Sequence, residues 1–213
     1  MKVKIAFSTL ACPDWAWSDI YSMAKDFKFD GIELRGLGNE IFSVKAKPFT
    51  DEQLPATVEK LRSLNLEIPC ISSGACLKFK DRFAEAENEV TEYARLANKL
   101  GASYIRILAD LAPAPDGEVD DDYIVDSLKK LVPIAEENNV TLLVETNGVY
   151  CDTARLARVL DKVRSRKVGA IWDMHHPYRY NAESPETTVG NLGEHIKYVQ
   201  VKDSVVLEDG TVE

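Results

Sequence analysis

Strand-like runs alternate with amphipathic helical runs along the whole chain, and this alternation constrains the fold more than any other feature. Seven short β-rich runs are legible: Lys2–Thr9, Gly31–Arg35, Leu66–Ser72, Tyr104–Leu108, Thr141–Glu145, Val168–Asp173 and Ile196–Lys202. Helical periodicity fills the gaps between them. Ile20, Ala24 and Phe27 share one face of Trp17–Phe27, and Leu54, Val58 and Leu61 form the stripe of a second helix behind the capping box Thr50-Asp51-Glu52-Gln53. Phe83, Val90, Tyr93, Ala97 and Leu100 mark Asp81–Leu100, which ends at Gly101. Ile124, Leu128, Leu131 and Ala135 mark Asp120–Asn138, where Pro133 is a local cost. Thr153–Arg164 follows, then a short helix from Ser184-Pro185 to about His195. His195 is expected to complement that helix's dipole. Val205–Glu213 reads as the start of a hairpin turning at Asp209-Gly210.

Alternating strands and helices imply a parallel sheet with right-handed crossovers. An open nucleotide-binding sheet carries a glycine-rich turn after its first strand. Here that turn reads Ser8-Thr9-Leu10-Ala11-Cys12-Pro13, without a phosphate cradle. The other closure is a (β/α)8 barrel, which needs eight units over about 250 residues. With seven strands in 213 residues, the expectation is a single barrel domain over 1–213, truncated after its seventh strand. A natural seven-stranded barrel is the alternative.

Charge narrows the function. Acidic residues outnumber basic ones 35 to 26, a net charge of −9, so sequence-independent nucleic-acid binding is disfavoured. No apolar run approaches the roughly 18 residues that span a bilayer. Cys12, Cys70, Cys76 and Cys151 lack paired spacing and read as reduced thiols, which points to the cytoplasm.

Side chains alternate across a strand, and both faces of a barrel strand are normally apolar. Several runs break that rule. Glu33 and Arg35 oppose Ile32 and Leu34; Arg106 opposes Ile105 and Ile107; Glu145 and Asn147 oppose Val144; Gln200 and Lys202 oppose Val199 and Val201. Asp173 ends the sixth run beside His175 and His176. These residues crowd the C-terminal ends of their strands, the barrel face that carries active sites. Buried ion pairs between strands are the alternative reading, most of all for Glu33, Arg35 and Arg106. Glu145 and Asp173, as neighbouring carboxylates, need a positive charge between them. A divalent ion meets that need, with Mg²⁺ or Mn²⁺ favoured and Zn²⁺ possible.

At these residues the chain resembles the xylose isomerase-like (β/α)8 TIM barrels, the sugar phosphate isomerase/epimerase superfamily. The matching stretches are Phe29-Asp30-Gly31-Ile32-Glu33-Leu34-Arg35, Leu142-Leu143-Val144-Glu145-Thr146-Asn147, Trp172-Asp173-Met174-His175-His176-Pro177 and Val199-Gln200-Val201-Lys202-Asp203. The resemblance implies one divalent metal held from strands five to eight. Glu145 and Asp173 take the first two places. Gln200 stands where the family usually has histidine, and the fourth ligand falls beyond Glu213. His176 and Lys202 match residues that line the substrate pocket. The implied function is a sugar or polyol isomerase or epimerase acting through an enediolate. Glu145 is its base, His176 and Lys202 assist, and Glu33, Arg35, Asn147 and Trp15 contact substrate. From their place in the first βα loop, Trp15 and Trp17 either pack on a sugar face or cover the barrel mouth as core aromatics. A dehydratase of the inosose or dehydroshikimate type is the alternative, mildly favoured by Gln200, and a non-catalytic sugar-binding barrel is another. The implied partner is a small sugar or polyol, with neither nucleic acid nor membrane, and homo-oligomers are common in the family.

A barrel lacking its last strand leaves a sheet edge open. The 213-residue chain is therefore expected to be unstable or to aggregate. A monomer by light scattering that melts cooperatively would overturn the truncation reading.

Overall fold

The computed structural model describes residues 3–205, 207 and 208. The expected turn at Asp209-Gly210 lies outside the described residues. In order, the elements are β1 (Ala6–Ser8), α1 (Trp17–Asp26), β2 (Gly31–Glu33), α2 (Leu54–Leu64), β3 (Cys70–Cys76), α3 (Phe83–Leu100), β4 (Tyr104–Leu108), α4 (Asp121–Glu137), β5 (Thr141–Glu145), α5 (Thr153–Val163), β6 (Val168–Asp173), α6 (His175–Asn181), α7 (Pro185–Leu192) and β7 (Ile196–Gln200).

Every strand pairing is parallel. β1 pairs with β2, and β3 to β7 form a five-stranded sheet in chain order. Single bridges Gly31↔Glu67 and Leu34↔Ile71 carry β2 onto β3. The backbone N–H of Leu34 donates to Cys70 at 3.1 Å, and that of Ser72 donates back to Leu34 at 2.7 Å. Seven strands thus curl in sequence order among the described residues, each linked to the next by a helical crossover, as a TIM barrel requires.

The alternation of side chains divides the apolar residues into two layers. Outward residues such as Ile32, Ile105, Ile107, Leu142, Val144 and Ala170 meet the helices in one continuous core. Inward residues Cys70, Leu143 and Ile171 form a smaller cluster inside the barrel, with Tyr104 and Tyr198 against it. The two tyrosine rings meet edge to face with centroids 6.0 Å apart. This cluster is the floor on which the functional layer stands. On β7 the outward Val199 is exposed, as is Val201 just beyond the strand.

Several local expectations change in the structure. β3 begins at Cys70 because Pro69 has no N–H for a ladder, and Leu66–Ile68 reach β2 only through the bonds of Glu67. The capping box does not form. The Thr50 hydroxyl donates to the Lys47 carbonyl at 3.1 Å, and Gln53 takes the N-cap position without a side-chain cap. Pro133 lies on the exposed side of α4, where the carbonyl it leaves unbonded meets water. His195 sits in a 3-10 turn and bonds Asp161 at 2.9 Å, so its partner is a carboxylate on α5. The four cysteines are free.

Asp110 sits just beyond β4 and is fully buried. It accepts from Lys78 Nζ at 2.8 Å, Leu111 N at 2.8 Å and Val149 N at 3.0 Å. Gly148 makes this possible: it adopts φ +58°, and a Cβ there would collide with the Asp110 carboxylate. Gly148→Ala is expected to destabilise the protein by about 2 kcal/mol or more in urea titrations. Burial pushes the Cys151 thiol up to about 12, so Cys151 is expected to resist iodoacetamide at pH 8 until the chain unfolds, while half-buried Cys76 labels first.

Candidate active site at the C-terminal mouth of the barrel

Two residues beyond the apolar inward layer, β3 to β7 each turn a polar residue inward. Register explains why. Ser72 lies beside Arg106, Arg106 beside Leu143, Glu145 beside Ile171, and Asp173 beside Gln200. Each polar residue is thus one pleat, two residues, beyond an apolar inward neighbour: Ser72 after Cys70, Arg106 after Tyr104, Glu145 after Leu143, Asp173 after Ile171 and Gln200 after Tyr198. A cavity of about 1630 Å³ runs through the barrel interior, and Glu33, Arg35, Arg106, Glu145, Asp173 and His176 line it. Asn147, Gln200 and Lys202 line it as well.

Glu145 and Asp173 are both buried and both point inward. The His176 ring lies between them. Its Nδ1 is 3.5 Å from Glu145 Oε1, and its Nε2 is 3.7 Å from Asp173 Oδ2. Each carboxylate also has its own cation: Arg106 Nε is 3.2 Å from Glu145 Oε2, and Lys202 Nζ is 2.9 Å from Asp173 Oδ2. Lys202 Nζ also lies 2.6 Å from His176 Nε2. His176 Nδ1 is 3.1 Å from the Thr146 carbonyl, which can only accept. These partners set the tautomer, with the proton on Nδ1 and a bare Nε2 facing the ammonium. Burial lowers the His176 pKa, and the Lys202 charge adds to that effect against the raising effect of Asp173. The imidazole is therefore neutral at pH 7.

The second oxygen of Asp173 has a structural task. Oδ1 accepts from the backbone N–H of His175 at 3.0 Å and of His176 at 3.3 Å, and so anchors the start of α6. No helix is expected here from the sequence, because the run is short and carries Pro177. Pro177 is tolerated because first-turn N–H groups have no partner within the helix. The helical turn swings two adjacent histidines so that both stay near Asp173. Among the described residues, Asp173, His175 and His176 each offer a ligand-type atom within 4.8 Å of the others.

Gln200 Nε2 donates to Glu33 Oε1 at 2.8 Å, and Ser72 Oγ donates to the same oxygen at 3.1 Å. The Gln200 carbonyl oxygen is thereby left for another partner. Burial raises the Glu33 pKa against the lowering effect of these bonds and of Arg106. Asn147 Nδ2 donates to the carbonyls of Asp110 at 2.8 Å and Leu111 at 3.3 Å, which fixes the β5–α5 loop. Trp15 is half exposed and does not line the cavity. Trp17 packs edge-on against Tyr21 and Phe49, as a core aromatic. Trp15 lies outside the cavity because the short β1 hands the chain directly to a 3-10 turn at Thr9–Ala11, which takes the rim position. Arg106, expected from the sequence as an inward polar residue or a buried ion pair, contacts Glu145 in the site; its inward register was the signal.

The donor set suits a divalent metal. Two buried carboxylates, one amide carbonyl and nearby imidazole nitrogens are oxygen and nitrogen ligands of the kind such ions take.

The chain belongs to the xylose isomerase-like TIM barrel family, whose sequence model matches residues 22–212. No curated protein matches the sequence. Among solved structures, the fold is similar to the probable 3-DHS dehydratase AsbF from Bacillus anthracis, with TM-score 0.76 and 19% identity over 92% of this chain and 72% of that one. It is similar to the IOLI protein with a bound zinc atom, with TM-score 0.76 and 16% identity over 98% and 76%. It is also similar to 3-keto-D-glucoside 4-epimerase YcjR from E. coli, with TM-score 0.73 and 16% identity over 95% and 80%. Among the described residues no helix is long and apolar enough to cross a membrane.

A buried acid whose pKa rises on folding stabilises the fold while protonated and loses that contribution as pH rises through the folded value. Glu33→Gln is therefore expected to gain stability over wild type as pH goes from 5 to 8. Melting curves at the two ends check the sign.

Proposed function

We propose that this protein is a metal-dependent isomerase or epimerase of a sugar or polyol that moves a proton on the carbon next to a carbonyl. One observation carries the reading. Glu145 is a buried carboxylate facing the cavity, with Oε2 held by Arg106 and Oε1 turned toward His176.

Glu145 is the base. Arg106 holds its far oxygen, which leaves Oε1 to take the proton from substrate carbon. Loss of that proton builds negative charge on the substrate oxygens. Lys202, in contact with Asp173 and His176, donates to the oxygen nearer the mouth. Neutral His176 accepts from Lys202 and so orients the ammonium. Return of the proton from Glu145 to the neighbouring carbon gives isomerisation; epimerisation needs a second proton donor on the opposite face of the substrate. Glu145, Asp173 and Gln200 would hold the metal, Mn²⁺ or Mg²⁺ before Zn²⁺. When bound it supplies positive charge beside two adjacent substrate oxygens. Glu33 sets the amide of Gln200, and Asn147 holds the loop below the substrate.

A dehydratase is the second reading. Its support is Lys202, a half-exposed ammonium that can protonate a departing hydroxyl after the same first step. The fold is similar to that of a probable 3-DHS dehydratase and of an epimerase.

Elemental analysis and a panel of sugars and polyols test the proposal. Glu145→Gln is expected to lower turnover by about 10²-fold or more with little change in melting temperature. Solvent deuterium is expected in the product at the carbon next to the carbonyl. A metal-free, folded protein that turns over nothing in the panel but still binds a polyol would mean a binding barrel instead.

A further inference from the structure

Arg106 has more hydrogen-bonding capacity than the chain uses. Its side chain is 5% exposed and lines the cavity. Nε lies 3.2 Å from Glu145 Oε2, yet Nε and Nη1 are sealed from solvent and make no hydrogen bond among the described residues. A second guanidinium stands in the same wall. Arg35 lines the cavity from the end of β2, and its Nη1 donates to the Ser73 carbonyl at a long 3.4 Å. Burial, and then repulsion from Arg106, lower the pKa of Arg35, so the two guanidiniums feel each other.

The acids facing this pair are mostly committed. Glu33 accepts from Gln200 and Ser72. Glu89, on α3, accepts the Gly74 N–H at 2.5 Å. Glu145 is the carboxylate in ion-pair contact with Arg106, and its other oxygen faces His176. Among the described residues Arg106 has one carboxylate in ion-pair contact and Arg35 one long bond to a carbonyl, in a place where unmatched donors are costly.

We infer that Arg106, with Arg35 beside it, forms a subsite for a carboxylate of the substrate, so that the molecule processed is a polyhydroxylated carboxylic acid rather than a neutral sugar. A guanidinium presents a planar fork of N–H donors that matches a carboxylate. A phosphate ester fits less well, because Glu33 and Glu145 flank the site and repel a dianion. Glu145 touches both Arg106 and His176, so the carboxylate would lie within a few bonds of the carbon that gives up its proton. The location rests on the proposed proton-transfer reading; the recognition chemistry does not.

Binding without turnover tests it. Titration calorimetry on the full chain, with D-gluconate, D-sorbitol and sorbitol 6-phosphate, compares one carbon skeleton carrying a carboxylate, no charge or a phosphate. Gluconate is expected to bind about tenfold or more tighter than sorbitol. Arg106→Met is expected to bring the gluconate-to-sorbitol ratio to about one, and Arg35→Met to reduce it. If Arg106→Met does not fold, Arg106→Lys, which keeps the charge and loses the fork, is expected to lower the gluconate preference. Equal binding of gluconate and sorbitol, no gluconate binding, a preference that survives these substitutions, or tighter binding of the phosphate ester would each overturn the inference. Turnover in the sugar panel fails or succeeds independently of this ratio, so the two readings are separable.

Discussion

Three carboxylates, Glu33, Glu145 and Asp173, are buried in one layer of the barrel, and the rest of the site depends on how their charge is compensated. Removing a carboxylate from water costs several kcal/mol unless a partner of opposite charge and good geometry replaces the solvent. Arg106 and Lys202 supply those partners to Glu145 and Asp173, while Glu33 receives hydrogen bonds and a raised pKa. An apolar interior would be the cheaper way to fill a barrel. A layer of buried, partly compensated charges is the kind of environment in which catalytic groups are tuned.

The same compensation explains the division of labour within single residues. Asp173 uses one oxygen to begin α6 and the other to hold Lys202. Because α6 begins there, His176 returns over the sheet and separates Asp173 from Glu145. Thr146 completes the arrangement: its hydroxyl bonds the Asp173 backbone on both sides, at 3.0 and 3.1 Å, and its carbonyl sets the His176 tautomer. The position of a proton on one ring nitrogen therefore follows from the register of two strands. Gln200 is held in the same way from across the barrel, by a residue 167 positions away. Its amide presents a carbonyl to the cavity only while Glu33 takes the other end.

Legibility in the sequence followed the length scale of each interaction. β4, β5 and β6 were readable to the residue, since period-two alternation of buried and polar positions is a local signal. The helices were readable by their stripes, apart from α6, where a proline and two histidines hid a turn that depends on the Asp173 side chain. The capping box at Thr50 failed because its hydroxyl was taken by the preceding turn. Trp15 looked like a sugar platform from its place in a loop, but where a loop residue ends up is decided by the path of the backbone around it.

What the amino-acid order determined alone was the class of fold and which residues face inward, because strand pleating and helical periodicity are properties of neighbouring residues. It also placed Glu33, Arg106, Glu145, Asp173 and Gln200 at strand ends, and so on one face of the barrel. Only the tertiary structure decided who touches whom: that Arg106 takes one oxygen of Glu145, that His176 stands between two acids, that Gln200 turns its nitrogen to Glu33. Those contacts join residues dozens of positions apart and follow from the register and curl of the sheet. A one-residue slip would send every one of these side chains to the helical shell.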